Sequence, residues 1–306
     1  MGEEKQKRLI VIDANSIIHR AFHALPSLTT KSGERVNAVY GFLLVLFRVI
    51  KEFQPDYIAA CFDFPGKTFR HKKFEQYKAK RPKAPDELYN QIPLVKNVLA
   101  GFNIPVFEKE GFEADDIIGT ISNLSPMETI ILSGDQDVLQ LVDYKTKAYI
   151  LRKGVKDIIL VDEAGVKEKY GFLPSQLLDF KALRGDASDN IPGVAGIGEK
   201  TAGELLSQFG NLNNMYKNIG DVGSPRIKEL LSENKDQAFL SRELAEIKKD
   251  APIDFVLEKC RWQNYDKEKI VSLLKGFEFY SLLNRLSGGL PQKTKEKTVG
   301  ANLKLW

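Results

Sequence analysis

The sequence is poor in the residues that staple or anchor a chain. It has two cysteines, three histidines, three methionines and two tryptophans among 306 residues. Two cysteines make neither a disulfide framework nor a cysteine-rich zinc site. Cys61 lies in an apolar run and reads as a reduced core residue, and Cys260 carries no signal. Long apolar runs are missing too. Phe42–Phe47 stops at Arg48, whereas a spanning helix needs about 20 apolar residues. The chain therefore reads as having no membrane span. Met1–Arg8 is charged and leads straight into a strand-like run, with no signal-peptide core, so a cytoplasmic location is expected. Net charge is only +4, and a 43% hydrophobic content argues against wholesale disorder.

The charge that is present is unevenly spread. Residues 287–306 hold four Lys against one Glu and read as a flexible basic tail or linker. Gly66–Ala84 holds eight cations, Lys67, Arg70, Lys72, Lys73, Lys78, Lys80, Arg81 and Lys83, against Glu75 alone. A charge run is usually a solvated face. This one is interleaved with Phe69, Phe74 and Tyr77, which suits a nucleic-acid channel: cations for phosphates, rings for bases.

Apolar runs and helical spacings alternate over the first half. Arg8–Asp13, Tyr57–Asp63, Ile104–Phe107 and Thr129–Ser133 read as strands. Asn37–Phe53, Asp86–Phe102, Glu113–Asn123 and Asp137–Val142 read as helices. Ala148–Arg152 and Asp157–Val161 look like a strand pair at a sheet edge. The pattern predicts an α/β domain over residues 1–161, with a mainly parallel central sheet and helices on both faces. Helices then follow in series over 162–170, 174–184, 200–209, 224–233, 235–249 and 266–285, predicting a helical subdomain over 162–286.

Acids fall at the strand ends. Asp13 ends the first strand, Asp63 the second, and Asp135 follows a third. In open α/β sheets, ligands bind beyond the carboxyl ends of strands. Glu113, Asp115 and Asp116 begin a helix, Asp137 follows Asp135, and Asp186 and Asp189 come later at i, i+3 spacing. Each acid alone reads as a routine helix cap. Together in one cleft they would repel, and a divalent cation removes that cost. Oxygen-only donors suit Mg²⁺ or Mn²⁺ rather than zinc, and paired cations are the usual device of nucleases and phosphatases.

Ile191–Ala202 carries a second signal. Gly193, Gly196 and Gly198 let a backbone approach phosphates, and the helix opening at Lys200 and Thr201 offers free N–H groups. A plain interhelical turn is the bland alternative. Other phosphate motifs fail: the P-loop-like Gly66-Lys67-Thr68 has Cys61 where the first Gly belongs, and no strand precedes Gly196-Ile197-Gly198. His19, His23 and His71 lack metal-ligand spacing and read as packing or DNA-facing residues.

These segments resemble the 5′ nuclease (5′→3′ exonuclease) domain of bacterial DNA polymerase I, within the flap endonuclease family. The likeness rests on IVIDANSIIHRAFHAL (10–25), AVYGFLLVL (38–46), FDFPGKTFRHKKFEQYKAKR (62–81), GFEADDIIGT (111–120), ILSGDQDVLQLV (131–142) and KALRGDASDNIPGVAGIGEKTA (181–202). It implies a PIN-like nuclease core, a helical arch at about 65–85 and a helix-hairpin-helix at about 186–203. It further implies that Asp13, Asp63, Glu113 and Asp115 ligate a first Mg²⁺, with Asp116 in support. Asp135, Asp137 and Asp189 would form a second site, with Asp186 beside it. Lys78 and Arg81 resemble the catalytic arch cations. Arg20 and Arg70 resemble DNA-phosphate contacts, joined by Lys72 and Lys73, with Tyr77 stacking on a base. The hairpin would grip duplex DNA and hold K⁺.

The expected activity is hydrolysis at 5′ flaps, nicks and RNA primers in replication and repair. Expected partners are flapped or nicked duplex DNA and primer hybrids, bound by a monomer in the bacterial cytosol or nucleoid that is either joined to polymerase domains or a stand-alone nuclease. The competing readings are a non-catalytic DNA-structure-binding module and an RNA-cutting ribonuclease.

Overall fold

The apolar run Arg8–Asp13 forms β1, and four more parallel strands join it in the computed structural model, which describes residues 7–262, 265–287 and 290. They are β2 (Tyr57–Cys61), β3 (Val106–Phe107), β4 (Glu128–Ser133) and β5 (Thr146–Lys153). The antiparallel β6 (Asp157–Val161) completes the order β3-β2-β1-β4-β5-β6. The mainly parallel sheet expected from the sequence is present.

Side-chain alternation divides the apolar residues between two cores. Ile10 and Ile12 of β1, Ile58 and Ala60 of β2, and Ile130 and Leu132 of β4 face one. Leu9 and Val11, Tyr57, Ala59 and Cys61, and Ile131 face the other. In-register pairing of Ile10 with both Ile58 and Ile130 aligns those faces. Burial on both sides explains why the strands read as unbroken apolar runs.

The first face is covered by α1 (Ala14–Ala24), α2 (Asn37–Phe53) and α5 (Gln91–Gly101). Two short helices, α3 (Phe69–Lys73) and α4 (Asp86–Tyr89), lie between them in the chain. The other face is covered by α6 (Ala114–Leu124), α8 (Leu177–Arg184) and α9 (Glu199–Phe209). Around them stand α7 (Glu163–Tyr170), α10 (Leu212–Lys217), α11 (Pro225–Glu233) and α12 (Lys235–Ala245). The last helices, α13 (Lys267–Gly276) and α14 (Tyr280–Ser287), return to the first face, with Ile270, Leu274 and Leu282 in its core. The chain after β6 is helical, and its last helices pack back on the first face of the sheet.

Boundaries shift for local reasons. The expected helix Asp86–Phe102 is divided at Asn90, and 266–285 is divided around Glu278, whose φ of +60° is left-handed. Asp137–Leu141 is a single 3-10 turn, and 235–249 stops at Ala245 because Glu246 is extended. Apart from Ser287 and Leu290, the expected tail lies outside the described residues.

Candidate metal centre and nucleic-acid cleft

The carboxyl ends of β1, β2 and β4 open into a cleft of about 440 Å³. Parallel pairing brings these ends level, so Asp13, Asp63 and Asp135 arrive together. Asp13 closes β1 and caps α1, accepting from the Ser16 N–H at 3.2 Å and the Ser133 hydroxyl at 2.6 Å. Asp63 accepts the Ala114 N–H at 2.8 Å, which ties β2's end to the start of α6. Glu113 is the N-cap of α6, and Asp115 sits in its first turn. Asp135 accepts the Asp137 N–H at 3.0 Å. All six line the cleft, and Asp189 reaches it from the hairpin loop. Asp186 stands just outside, joined to Asp137 through Lys181.

So many buried carboxylates perturb one another. Burial, against hydrogen bonds from Ser133 and Ser16 and with Asp63 adding repulsion, pushes Asp13 up to about 6. Burial and Asp135 lift Asp137 to about 7 despite Lys181. Burial, then Asp13, Asp135 and Asp137, hold Asp115 well above the carboxylate range. These groups resist ionising without a cation, and every donor is oxygen, which is the chemistry of a hard divalent ion. Among the described residues, however, no three such side chains stand close enough to hold a metal ion. The reason is visible in their partners. Glu113 is drawn to Lys78 Nζ at 3.0 Å, and Asp137 to Lys181 Nζ at 2.5 Å. Asp189 is paired with Arg81 and accepts the Tyr77 hydroxyl at 3.0 Å.

Beyond α3 the expected helical arch is a run of turns over 75–80, and this segment packs against the loop 188–190 beside the cleft. Lys78, with φ +56°, donates its N–H to the Asp189 carbonyl at 2.9 Å. Arg81 Nε donates to the Ser188 carbonyl at 3.1 Å, and Asn190 Nδ2 to the Gln76 carbonyl at 2.7 Å. Lys78 and Arg81 both line the cleft, where the sequence expected them. Arg20 lines it too, its guanidinium held by the Gly134 and Arg152 carbonyls at 2.7 and 2.9 Å.

Arg70, Tyr77 and Gly193 lie away from the places the resemblance implies. Arg70 is 2% exposed and forms a two-pronged pair with Asp116 at 2.7 and 2.8 Å, with further bonds to the Leu244 and Glu246 carbonyls. It has no face for a DNA phosphate. Asp116, 0% exposed, spends both oxygens on Arg70 and on the Glu113 and Lys248 N–H groups, so it braces the start of α6 from inside. Tyr77 is 3% exposed, its hydroxyl between Glu113 and Asp189, and cannot stack on a base from there. Gly193 is buried against Gly185 and donates to Ser241 Oγ, so it packs the hairpin from inside.

The other hairpin residues remain outward. Gly196, Gly198 and Lys200 are exposed, Thr201 is half-buried, and Gly198 caps α9. Lys72 and Lys73 are exposed outside the cleft lining, Lys73 pairing with Glu243. The sequence reading missed Lys181, which gave no signal beyond lying five residues before Asp186. It also missed Asn15, Ser16 and Ser133, the polar scaffolding of Asp63 and Asp13. His19 and His23 line the cleft, while His71 caps α3 through Thr68.

The family profile described as "5'-3' exonuclease, N-terminal resolvase-like domain" matches residues 8–171, and its companion, "5'-3' exonuclease, C-terminal SAM fold", matches 172–268. The chain belongs to the 5′–3′ exonuclease family. DNA polymerase I of Bacillus subtilis is 42% identical over 298 residues, covering 96% of this chain and 34% of that protein. DNA polymerase I of Caldicellulosiruptor bescii is 44% identical over 286 residues, covering 91% and 33%. The chain thus spans about a third of the length of these relatives. A structure of T5 5′-exonuclease with divalent zinc ions superposes with TM-score 0.66 at 19% identity, covering 89% of this chain and 99% of that one. The catalytic core of Rad2 with DNA substrate gives TM-score 0.58 at 18% identity, covering 94% and 93%. These likenesses carry the fold. The family is one of nucleases, and a purely DNA-binding module is not favoured. Among the described residues no helix is long and apolar enough to cross a membrane.

Proposed function

We propose that this 5′–3′ exonuclease is a structure-specific 5′ nuclease that hydrolyses phosphodiester bonds at 5′ flaps, nicks and RNA primers. The reading rests on one observation above all: six carboxylates from the ends of β1, β2 and β4 and the start of α6 share a cleft roofed by Lys78 and Arg81. Asp13, Asp63, Glu113 and Asp115 would hold one Mg²⁺; Asp135, Asp137 and Asp189, with Asp186 beside them, would hold a second. Mn²⁺ would substitute in either place. Bound cations supply Lewis-acid polarisation of phosphoryl oxygen and an activated water.

The chain's own groups do the rest. Lys78 and Arg81 are paired with carboxylates now, and a DNA phosphate entering the cleft gives them a competing anion. Arg20 is held by two carbonyls with its remaining N–H groups free to bind phosphate. Ser133 and Ser16 orient Asp13. The outward hairpin, Gly196 to Thr201, offers backbone N–H groups to duplex phosphates without reading sequence; K⁺ there is part of the proposal. Flapped or nicked duplexes and primer hybrids are the proposed partners of a monomer in the cytosol or nucleoid, with a polymerase on the same polypeptide, in replication and repair.

A substrate panel tests this. Double-flap, nicked and blunt duplexes carrying the same 5′ label are incubated with Mg²⁺ or EDTA. Short 5′ products from the flap and nick, in Mg²⁺ only, are expected. Equal cleavage of blunt duplex, or cleavage in EDTA, would contradict the reading.

A further inference from the structure

The two groups of acids do not carry equal shares of counter-charge. Among the described residues, Asp13, Asp63 and Asp115 form no ion pair within 4.0 Å, and in the first group only Glu113 faces cations, Lys78 at 3.0 Å and, more distantly, the Asp116-bound Arg70 at 3.6 Å. In the second group, Lys181 Nζ sits 2.5 Å from Asp137 Oδ1 and 2.8 Å from Asp186 Oδ2, while Arg81 pairs with Asp189. Lys181 belongs to α8 and its side chain is 16% exposed, so it is built into the site rather than swinging past it. Asp186 is held toward it by the Ser188 N–H at 2.9 Å and hydroxyl at 2.6 Å.

We propose that Lys181 is the resident counter-ion of the second acid group and makes it the weaker cation site. The proposal rests on the nuclease reading above. A divalent ion approaching Asp137 and Asp186 meets an ammonium already satisfying both. It must repel or displace that charge, a cost that Asp13 and Asp115 do not impose. Protein without DNA then loads one cation readily and the second only at higher concentration. Lys181 acts through the carboxylates and is a positioning residue.

The alternative is that Lys181 supports the ligands as an outer partner. Removing such a partner weakens metal binding by about 10–100-fold. The two roles therefore predict opposite signs. The test is Mn²⁺ binding to the DNA-free protein, read by calorimetry and by the EPR signal of free Mn²⁺. Wild type and Lys181→Arg should show one tight and one weaker ion. Lys181→Met should tighten the weaker ion by about tenfold or more and leave the tight one unchanged. Asp137→Asn should abolish the weaker ion alone, which assigns it. If Lys181→Met does not fold by thermal melting, Lys181→Gln, which keeps a polar head, takes its place with the same expectation. An unchanged or weakened second ion in the neutral variant would overturn the role of Lys181 while leaving the nuclease reading intact. Absence of any Mn²⁺ binding in wild type would overturn both.

Discussion

At the residue scale, the cleft separates groups that look alike in the sequence. Arg70 and Arg81 lie in one basic stretch, yet Arg70 braces Asp116 inside the protein and Arg81 faces the cleft. Breaking a buried pair by removing one partner costs about 3–5 kcal/mol. Arg70→Met should therefore lower stability by about that amount in denaturant melts, since it strands Asp116. It should leave the salt dependence of DNA binding unchanged, whereas loss of a phosphate contact reduces the log–log slope by about 1.

The perturbed acids make a second prediction at this scale. Burial pushes Asp13 up to about 6 and Asp137 up to about 7 in the folded chain, against the ordinary 3.8 of the unfolded one. Between about pH 4 and 7 the folded state then binds more protons than the unfolded state. These groups accordingly make stability fall as pH rises through that window. In EDTA, the melting temperature should be higher at pH 5 than at pH 8 on their account. The double variant Asp13→Asn, Asp137→Asn should lose that part of the slope, and saturating Mg²⁺ should raise the pH 8 value most. The acids' presence was legible in the sequence because strand ends are marked by apolar runs. Their partners were not, because nothing in YKAKR shows which side chain turns inward.

At the scale of elements, the sheet was the most legible part. Unbroken apolar runs ending in acids predicted β1, β2 and β4 within a residue or two of where they lie. The helices were legible where apolar spacing ran long, as in α2, and illegible where a helix starts without a loop. α1 was missed because Asp13 serves as both the last strand residue and the helix cap. The hairpin was found, but its glycines do different work. Gly193 has φ +64°, and a Cβ there would lie 2.2 Å from the Gly185 nitrogen. Gly198 meets nothing within 4 Å. Gly193→Ala should thus cost more than about 2 kcal/mol in stability. Gly198→Ala should cost only up to about 1 kcal/mol, the loss of a favourable N-cap of α9, and should weaken duplex binding equally for all sequences, read by fluorescence anisotropy.

At the scale of the whole molecule, one chain brings an acidic cleft and the cations Lys78 and Arg81 to one end of a sheet, with the hairpin residues Gly196 and Gly198 turned outward. The last helices return to the first face and tie the two halves together, a packing that no local pattern announced because it joins α13 and α14 to α2 and α5 across the chain. On the proposed reading, the carboxylates of this cleft perform metal-dependent cleavage and are not needed for holding DNA. The most direct test compares wild type with Asp137→Asn on a 5′-labelled double-flap duplex in Mg²⁺, measuring product release and binding on the same samples. Cleavage should be lost while flap affinity stays within about twofold of wild type, because Asp137 is already engaged by Lys181. Tight flap binding by wild type with no cleavage in Mg²⁺ or Mn²⁺, or full cleavage by Asp137→Asn, would contradict it.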